Sequence, residues 1–137
     1  VNERPLCLCE SYARVTERAA LAGARWLGRA DVEGAEEATF SAMRGSLDEL
    51  PIDGRIVIGA PEGAAFLPMG ATVGSGGEAC DLALDPLEGR GVVARGGPGA
   101  MSMIAVGEPG SLLTLPDMYM RKMAVGPRAR GSIDLNK

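Results

Sequence analysis

The sequence predicts an α+β fold in which two N-terminal helices pack on one face of a largely antiparallel sheet. Three observations carry this. Apolar residues recur at helical spacing through the first part of the chain, the period falls to two from about Arg55, and the later apolar runs are separated by Gly, Pro and Asp turns. Helices first and strands afterwards, with no alternation between them, is the α+β pattern.

Leu8, Tyr12, Val15, Ala19, Ala22 and Trp26 follow one another at steps of four and three, the stripe of an amphipathic helix, and Gly28 supplies a stop. Arg14, Arg18, Arg25 and Arg29 lie off that stripe. They make either a solvated basic face or a surface for phosphate or another subunit. Asp31 reads as the N-cap of a second helix, with Glu33, Glu36 and Glu37 in the turn where the helix dipole favours acids. That helix is expected to run to about Leu50, where Pro51 and Asp53-Gly54 turn the chain. Strands are expected at Arg55–Ile58, Cys80–Leu84, Gly91–Ala94, Met101–Val106, Leu112–Leu115 and Met118–Val125. The Gly-rich runs Gly74–Gly77 and Gly96–Gly99 open no helix, so they read as hairpin turns rather than phosphate loops. Neither a linker nor a repeat divides residues 1–137, which read as one domain with helices over about 8–50 and strands over about 55–137.

A chain of 137 residues can bury a core, though its low aromatic content means that small residues and Met fill much of it. A net charge of −4 argues against general nucleic-acid binding. No apolar run approaches the ~20 residues of a membrane span, and no signal peptide is visible, so the expectation is a cytoplasmic protein that engages no membrane. Val1 in place of Met reads as a non-AUG start or a trimmed terminus. Cys7, Cys9 and Cys80 are an odd set without a Cys-x-x-Cys pair, which suits reduced structural thiols better than a zinc site or a disulfide framework. With no histidine in the chain, a Ser-His-Asp or Cys-His mechanism is excluded. Any catalysis must rest on carboxylates, metal ions and water.

The run Asp81–Arg90 is the place for such chemistry. Alternation puts Cys80, Leu82 and Leu84 on one face of a strand and Asp81, Ala83 and Asp85 on the other. Pro86, lacking an N–H, is expected to end the ladder, and Gly89 allows a bend that returns Glu88 beside Asp85. Two carboxylates fixed at a strand end suit a hard divalent cation, which takes carboxylate, carbonyl and water oxygens. An acidic loop after an ordinary strand is the alternative reading.

The segment Ala83-Leu84-Asp85-Pro86-Leu87-Glu88-Gly89 resembles the Asp-Pro-x-Asp/Glu-Gly-Thr signature of the lithium-sensitive, metal-dependent sugar phosphatases, and most of all class II (GlpX-type) fructose-1,6-bisphosphatase. Leu21–Arg29, Asp53–Gly59, Leu115–Met120, Ala124–Pro127 and Gly131–Asn136 resemble the same family, in its order. The likeness extends from about Ser11 to the last residue and matches the family's N-terminal half. It implies metal-dependent hydrolysis of a sugar phosphate monoester such as fructose 1,6-bisphosphate, in gluconeogenesis or glycerol metabolism, with Mn²⁺ or Mg²⁺. By the same resemblance Glu36, Asp85, Glu88 and the Leu87 carbonyl are the metal ligands. Glu88, Gly89, Arg90 and Tyr119 are the substrate contacts, and Asp117 lies in the same matched stretch. From the residues alone, Tyr119 reads rather as a strand aromatic packed on a neighbour.

Three departures from the family pattern bear on activity. Where the family places a glutamate after Ile-Val-Ile-Gly this chain has Ala60, with Glu62 displaced two residues on and an apolar Gly63–Leu67 following. Two extended residues move a side chain by about 6–7 Å. The threonine closing the signature is Arg90, which cannot take a proton from water and brings a cation to the site. Arg90 is expected to offset Asp85 and Glu88, or to hold a phosphate in bidentate fashion. The family's chains are more than twice as long, and their second half brings a further metal-binding glutamate, most phosphate contacts and a second sheet layer. The chain is therefore expected to expose an apolar seam and to form a homo-oligomer or to pair with a chain supplying the missing half. Two functions follow: a weak or partner-dependent phosphatase with no assured catalytic residue of its own, or a non-catalytic sugar-phosphate-binding or interaction domain descended from one. A remnant reading frame under no selection is the third possibility.

Overall fold

The computed structural model describes residues 8–61, 63–114, 118 and 120–134. Its first element, α1 (Leu8–Ala24), buries Val15 and Ala19 of the expected stripe, and Gly23 in place of the expected Ala22, which is only half-buried. Tyr12, one turn earlier, packs against the same core with its hydroxyl 3.8 Å from Cys80 Sγ. Burial and then that thiol raise the Tyr12 pKa, so the phenol is a weaker acid than usual. Of the cysteines described, Cys9 and Cys80 are both free thiols. Helical geometry ends before Trp26, whose ring lies 5.6 Å beneath the Arg29 guanidinium. The basic face of α1 is mostly solvated, and Arg18 pairs with Glu49 at 2.7 Å, an exposed bridge worth at most about 1 kcal/mol.

Asp31 caps α2 (Val32–Asp48) by accepting a hydrogen bond from the Gly34 N–H at 2.8 Å. Removing that oxygen leaves an N-terminal donor without its partner. Asp31→Ala is accordingly expected to cost about 1 kcal/mol in a denaturant titration, with an unchanged m-value. The inner face of α2 buries Ala35, Thr39, Met43, Ser46 and Leu47.

The sheet contains β1 (Ile52–Ile58), β2 (Thr72–Val73), β3 (Glu78–Glu88) and β4 (Met101–Gly107) in the order β2-β1-β3-β4. Its two outer pairings are antiparallel, whereas β1 and β3 run parallel with Ile56 opposite Leu82. This is the α+β architecture expected from the sequence, with a mixed sheet whose centre is parallel. Ile52, Ile56, Leu82 and Leu84 meet Val15, Ala19, Met43 and Leu47 in one core between sheet and helices. The opposite surface of the sheet carries exposed Met101 and Met103.

Several local expectations are corrected. The segment 91–94 is not a strand but the body of a short helix, α3 (Arg90–Arg95). The described residues 112–114, 118 and 120–125 form no strand, and a single turn of 3₁₀ helix follows at Pro127–Ala129. Strand β2 was not foreseen, and β1 begins three residues before Arg55, at Ile52. Gly74–Gly77 is not a hairpin turn, because β2 and β3 are not neighbours. It arches over the start of β1, tied down by Ser75 N–H to the Leu50 carbonyl (2.8 Å) and Gly76 N–H to the Ile52 carbonyl (3.0 Å). Gly96–Gly99 caps α3 and leads into β4.

Candidate functional site

Pro86 does not end β3. Asp85 stands opposite Met103 and Glu88 opposite Met101, so β3 spends three residues where β4 spends two. Such a bulge leaves residues outside the ladder, and Pro86 tolerates it because it has no N–H to lose. Pro86 itself is fully buried against the helices. The bulge turns Glu88 back toward Asp85, and the two carboxyl groups share a hydrogen bond. Gly89 follows at φ 87, a left-handed conformation that a side chain would resist, and opens α3 so that Arg90 is its first residue.

The Asp85 carboxyl is lifted above its ordinary value, first by burial and then by the hydrogen bond and repulsion of Glu88. The Leu87 N–H, which donates to Asp85, works in the opposite direction, while the charge of Glu36 adds to the rise. Thus Glu88 on β3 and Glu36 on α2 both act on Asp85. The two partners of Arg90 were expected to be Asp85 and Glu88. Instead its Nη1 lies 2.9 Å from Glu36 Oε2, across the gap between α3 and α2. Arg90 therefore compensates the third carboxylate of the group, because its position at the head of α3 aims it at α2 and not back along β3.

Asp85 and Glu36 open into a cleft of about 1250 Å³, bounded by the apolar side chains of Phe40, Ile58, Phe66 and Leu113 and by Lys122. Ala60 lines this cleft too, in a loop closed by Ala60 N–H to the Leu67 carbonyl at 3.0 Å and Met69 N–H to the Ala60 carbonyl at 2.9 Å. A methyl group thus stands in the cleft where the family pattern has a carboxylate. Glu33 and Glu37, assigned from sequence only to the helix dipole, line the same cleft, and Lys122 adds a cation that sequence reasoning missed. Glu62, Asp117 and Tyr119 lie outside the described residues.

A hard cation suits this donor set in kind: two carboxylates, one of them destabilised in its charged form by the other, with Glu36 nearby. The count falls short, since among the described residues no three His, Cys, Asp or Glu side chains come together as a metal-holding group. Glu36 is instead paired with Arg90.

Asp81, one face over from the core, is buried and accepts a 2.6 Å hydrogen bond from the Gly110 N–H. It ties down the turn that leads to Leu113 and Thr114 at the cleft wall. No helix among the described residues is long and apolar enough to cross a membrane.

Comparison with known proteins converges on one family. The family described as bacterial fructose-1,6-bisphosphatase, glpX-encoded, matches residues 7–137. The chain is 50% identical over 132 residues to Fructose-1,6-bisphosphatase 1 class 2 of Escherichia coli K12, covering 94% of this chain and 39% of that protein. It is 45% identical over 132 residues to Fructose-1,6-bisphosphatase class 2 of Haemophilus influenzae, covering 94% and 40% respectively. A D-fructose 1,6-bisphosphatase class 2/sedoheptulose 1,7-bisphosphatase of Trichormus variabilis is 38% identical over 138 residues, covering 90% of this chain and 40% of the relative. The chain therefore spans about two-fifths of the length of the curated relatives it matches.

Proposed function

Because the chain belongs to the bacterial glpX-encoded fructose-1,6-bisphosphatase family, we propose that it serves metal-dependent hydrolysis of a sugar phosphate monoester of the fructose 1,6-bisphosphate kind. The observation that carries this reading is the Asp85–Glu88 carboxyl pair, set by the β3 bulge beside a cleft that Glu36 also reaches. Asp85, Glu88 and Glu36, with the Leu87 carbonyl, would hold Mn²⁺ or Mg²⁺. Such an ion would supply Lewis-acid chemistry there, toward the phosphate and an attacking water. The chain's own residues place these oxygens beside the apolar side chains of the cleft wall. Gly89, Arg90 and Tyr119 are proposed to meet the substrate beside Glu88.

Activity of this stretch alone is proposed to be weak, or to depend on a second copy or on a chain that supplies the rest of the relatives' length. Ala60 in the cleft and Arg90 on Glu36 both weaken the site. The same two residues favour a second reading, a sugar-phosphate-binding or interaction domain without catalysis. We place the protein in the cytoplasm and engaging no nucleic acid, as its acidity suggests.

The test is phosphate release from fructose 1,6-bisphosphate with Mn²⁺, with Mg²⁺ and with a chelator. Release that needs the metal is the expected result. Binding of the sugar bisphosphate without any release, seen by calorimetry, selects the second reading.

A further inference from the structure

We propose that β4 is a pairing edge for a second copy of this chain, the two β4 strands running antiparallel about a two-fold axis at Ile104. The proposal rests on the second-copy reading above, gives it a surface, and is measured without recourse to activity. Three observations carry it. β4 closes the sheet order β2-β1-β3-β4, so one of its edges pairs with β3 and the other with no described strand. The seven residues of that strand contain no charge and no proline, the residues with which exposed edges are ordinarily guarded. The opposite margin of the sheet, β2, is by contrast only two residues long and offers little to pair with. Finally, the helix beside β4 is smooth on the same side. Thr16, Ala20 and Ala24, one stripe of α1, flank Ser102, and Ala20, Ala24 and Leu27 are exposed there.

The physical argument is self-complementarity. An antiparallel pair centred on Ile104 sets Met103 opposite Ala105 of the second copy, Ser102 opposite Val106 and Met101 opposite Gly107. Met101, Met103 and Ala105 are exposed on the outer face of the sheet, whereas Ser102 and Ile104 lie half-buried on the helix side, so each pair joins residues of one face. Like charges directly opposite would resist pairing, and this strand brings none to the axis. The backbone N–H and C=O groups of the free edge would exchange water for one another. Met101 and Met103, 54% and 42% exposed, supply apolar area that the second copy would remove from water. Joining the copies makes one continuous sheet of twice four strands. The short side chains of Thr16, Ala20 and Ala24 leave room for α1 of the second copy alongside the first. A foreign strand could satisfy the edge, but a second copy also brings the same neutral strand and the same short-chained helix stripe at matched positions.

The experiment is sedimentation equilibrium of the whole 137-residue chain at micromolar to submillimolar concentration, with folding checked by circular dichroism. A species of twice 14.1 kDa that dissociates on dilution is the expected result. Met103→Lys with Ala105→Lys, and Met103→Glu with Ala105→Glu, each put like charges opposite one another twice across the axis. Each double variant is expected to dimerise at least about tenfold more weakly than the wild type. An equimolar mixture of the two sets Lys against Glu and is expected to recover association. A wild type that stays at 14.1 kDa at the highest concentration overturns the proposal and leaves the edge to a strand from another protein. Undiminished dimers of both double variants overturn it as well, and so does a mixture that associates no more tightly than its components. Hydrogen exchange on the wild type reads the same contact without any substitution. Amides within residues 101–107 should slow as the protein concentration rises, and exchange there that ignores concentration rejects the pairing. A dimer that releases no phosphate leaves this inference standing and counts against the hydrolase reading alone, whereas metal-dependent release by a monomer does the reverse.

Discussion

Gly74→Ala is expected to destabilise the protein by on the order of 3 kcal/mol, read as a lower urea midpoint. Gly74 sits at φ 102, outside the range an alanine accepts without strain, and a Cβ there would stand 2.1 Å from the Ile52 carbonyl oxygen. The neighbour is backbone and belongs to the first residue of β1, so it cannot swing aside as a side chain would. The strain falls on the arch that carries the chain from β2 over the start of β1 into β3. Relief would require moving either the arch or Ile52, whose side chain is 1% exposed in the core. A substitution at Gly76, which also has positive φ but open space around its Cβ position, should cost about 1–2 kcal/mol from strain alone. If Gly74→Ala and Gly76→Ala cost the same, the close approach to Ile52 is not what fixes this loop.

That arch also shows why the sequence revealed some of the fold and not the rest. The helices were legible because their signals are local: an apolar stripe through Val15 and Ala19, and an Asp31 cap that bonds three residues on. The turn at Gly74–Gly77 was recognised as a turn, but which strands it joins depends on the parallel pairing of β1 with β3, a long-range choice no local pattern encodes. Residues 91–94 were misread for a different reason. Val92 and Val93 favour a strand by propensity, yet the left-handed Gly89 starts a helix, and the carbonyls of Val93 and Ala94 accept from the N–H groups of Gly28 and Ala30 at 2.9 Å. Tertiary hydrogen bonding outweighed a weak preference.

The site divides in the same way. Asp85 and Glu88 are three residues apart, and a Gly-assisted bend was enough to infer that they meet; the bulge at Pro86 is the device the sequence did not reveal. Glu36 reached the candidate list only through family resemblance, since an acid in a first helical turn has an ordinary explanation. Its partnership with Arg90 was not legible at all. A bond between residues 54 apart requires the helix at α3, and α3 had been read as a strand.

Asp85→Asn is expected to act on stability and on turnover with opposite signs. A carboxyl raised above its ordinary value is one whose neutral form the fold prefers. Its favourable contribution is complete below the unfolded pKa, about 3.9, and disappears as the pH climbs through the higher folded value. An amide is neutral throughout and keeps that state. Asp85→Asn should therefore match the wild type at about pH 3 and exceed it at pH 7, by about 0.5–2 kcal/mol, a range usual for relief of strain at functional sites. Thermal unfolding followed from pH 3 to pH 8 measures the divergence. Turnover should move the other way. Changing only an outer-shell partner of a metal ligand typically costs 10–100-fold, so replacing Asp85, proposed above as a ligand, should lower Mn²⁺-dependent phosphate release at least about 100-fold. The combination separates two roles for the carboxylate. A side chain retained to hold the β3 bulge together, through its bond from the Leu87 N–H, would lose stability on substitution at every pH. One retained for chemistry at a cost to the fold gives a protein that is harder to melt and slower to release phosphate. A fall in stability at pH 7 would assign Asp85 to the architecture of the turn and leave Glu88 and Glu36 without their partner in the proposed site.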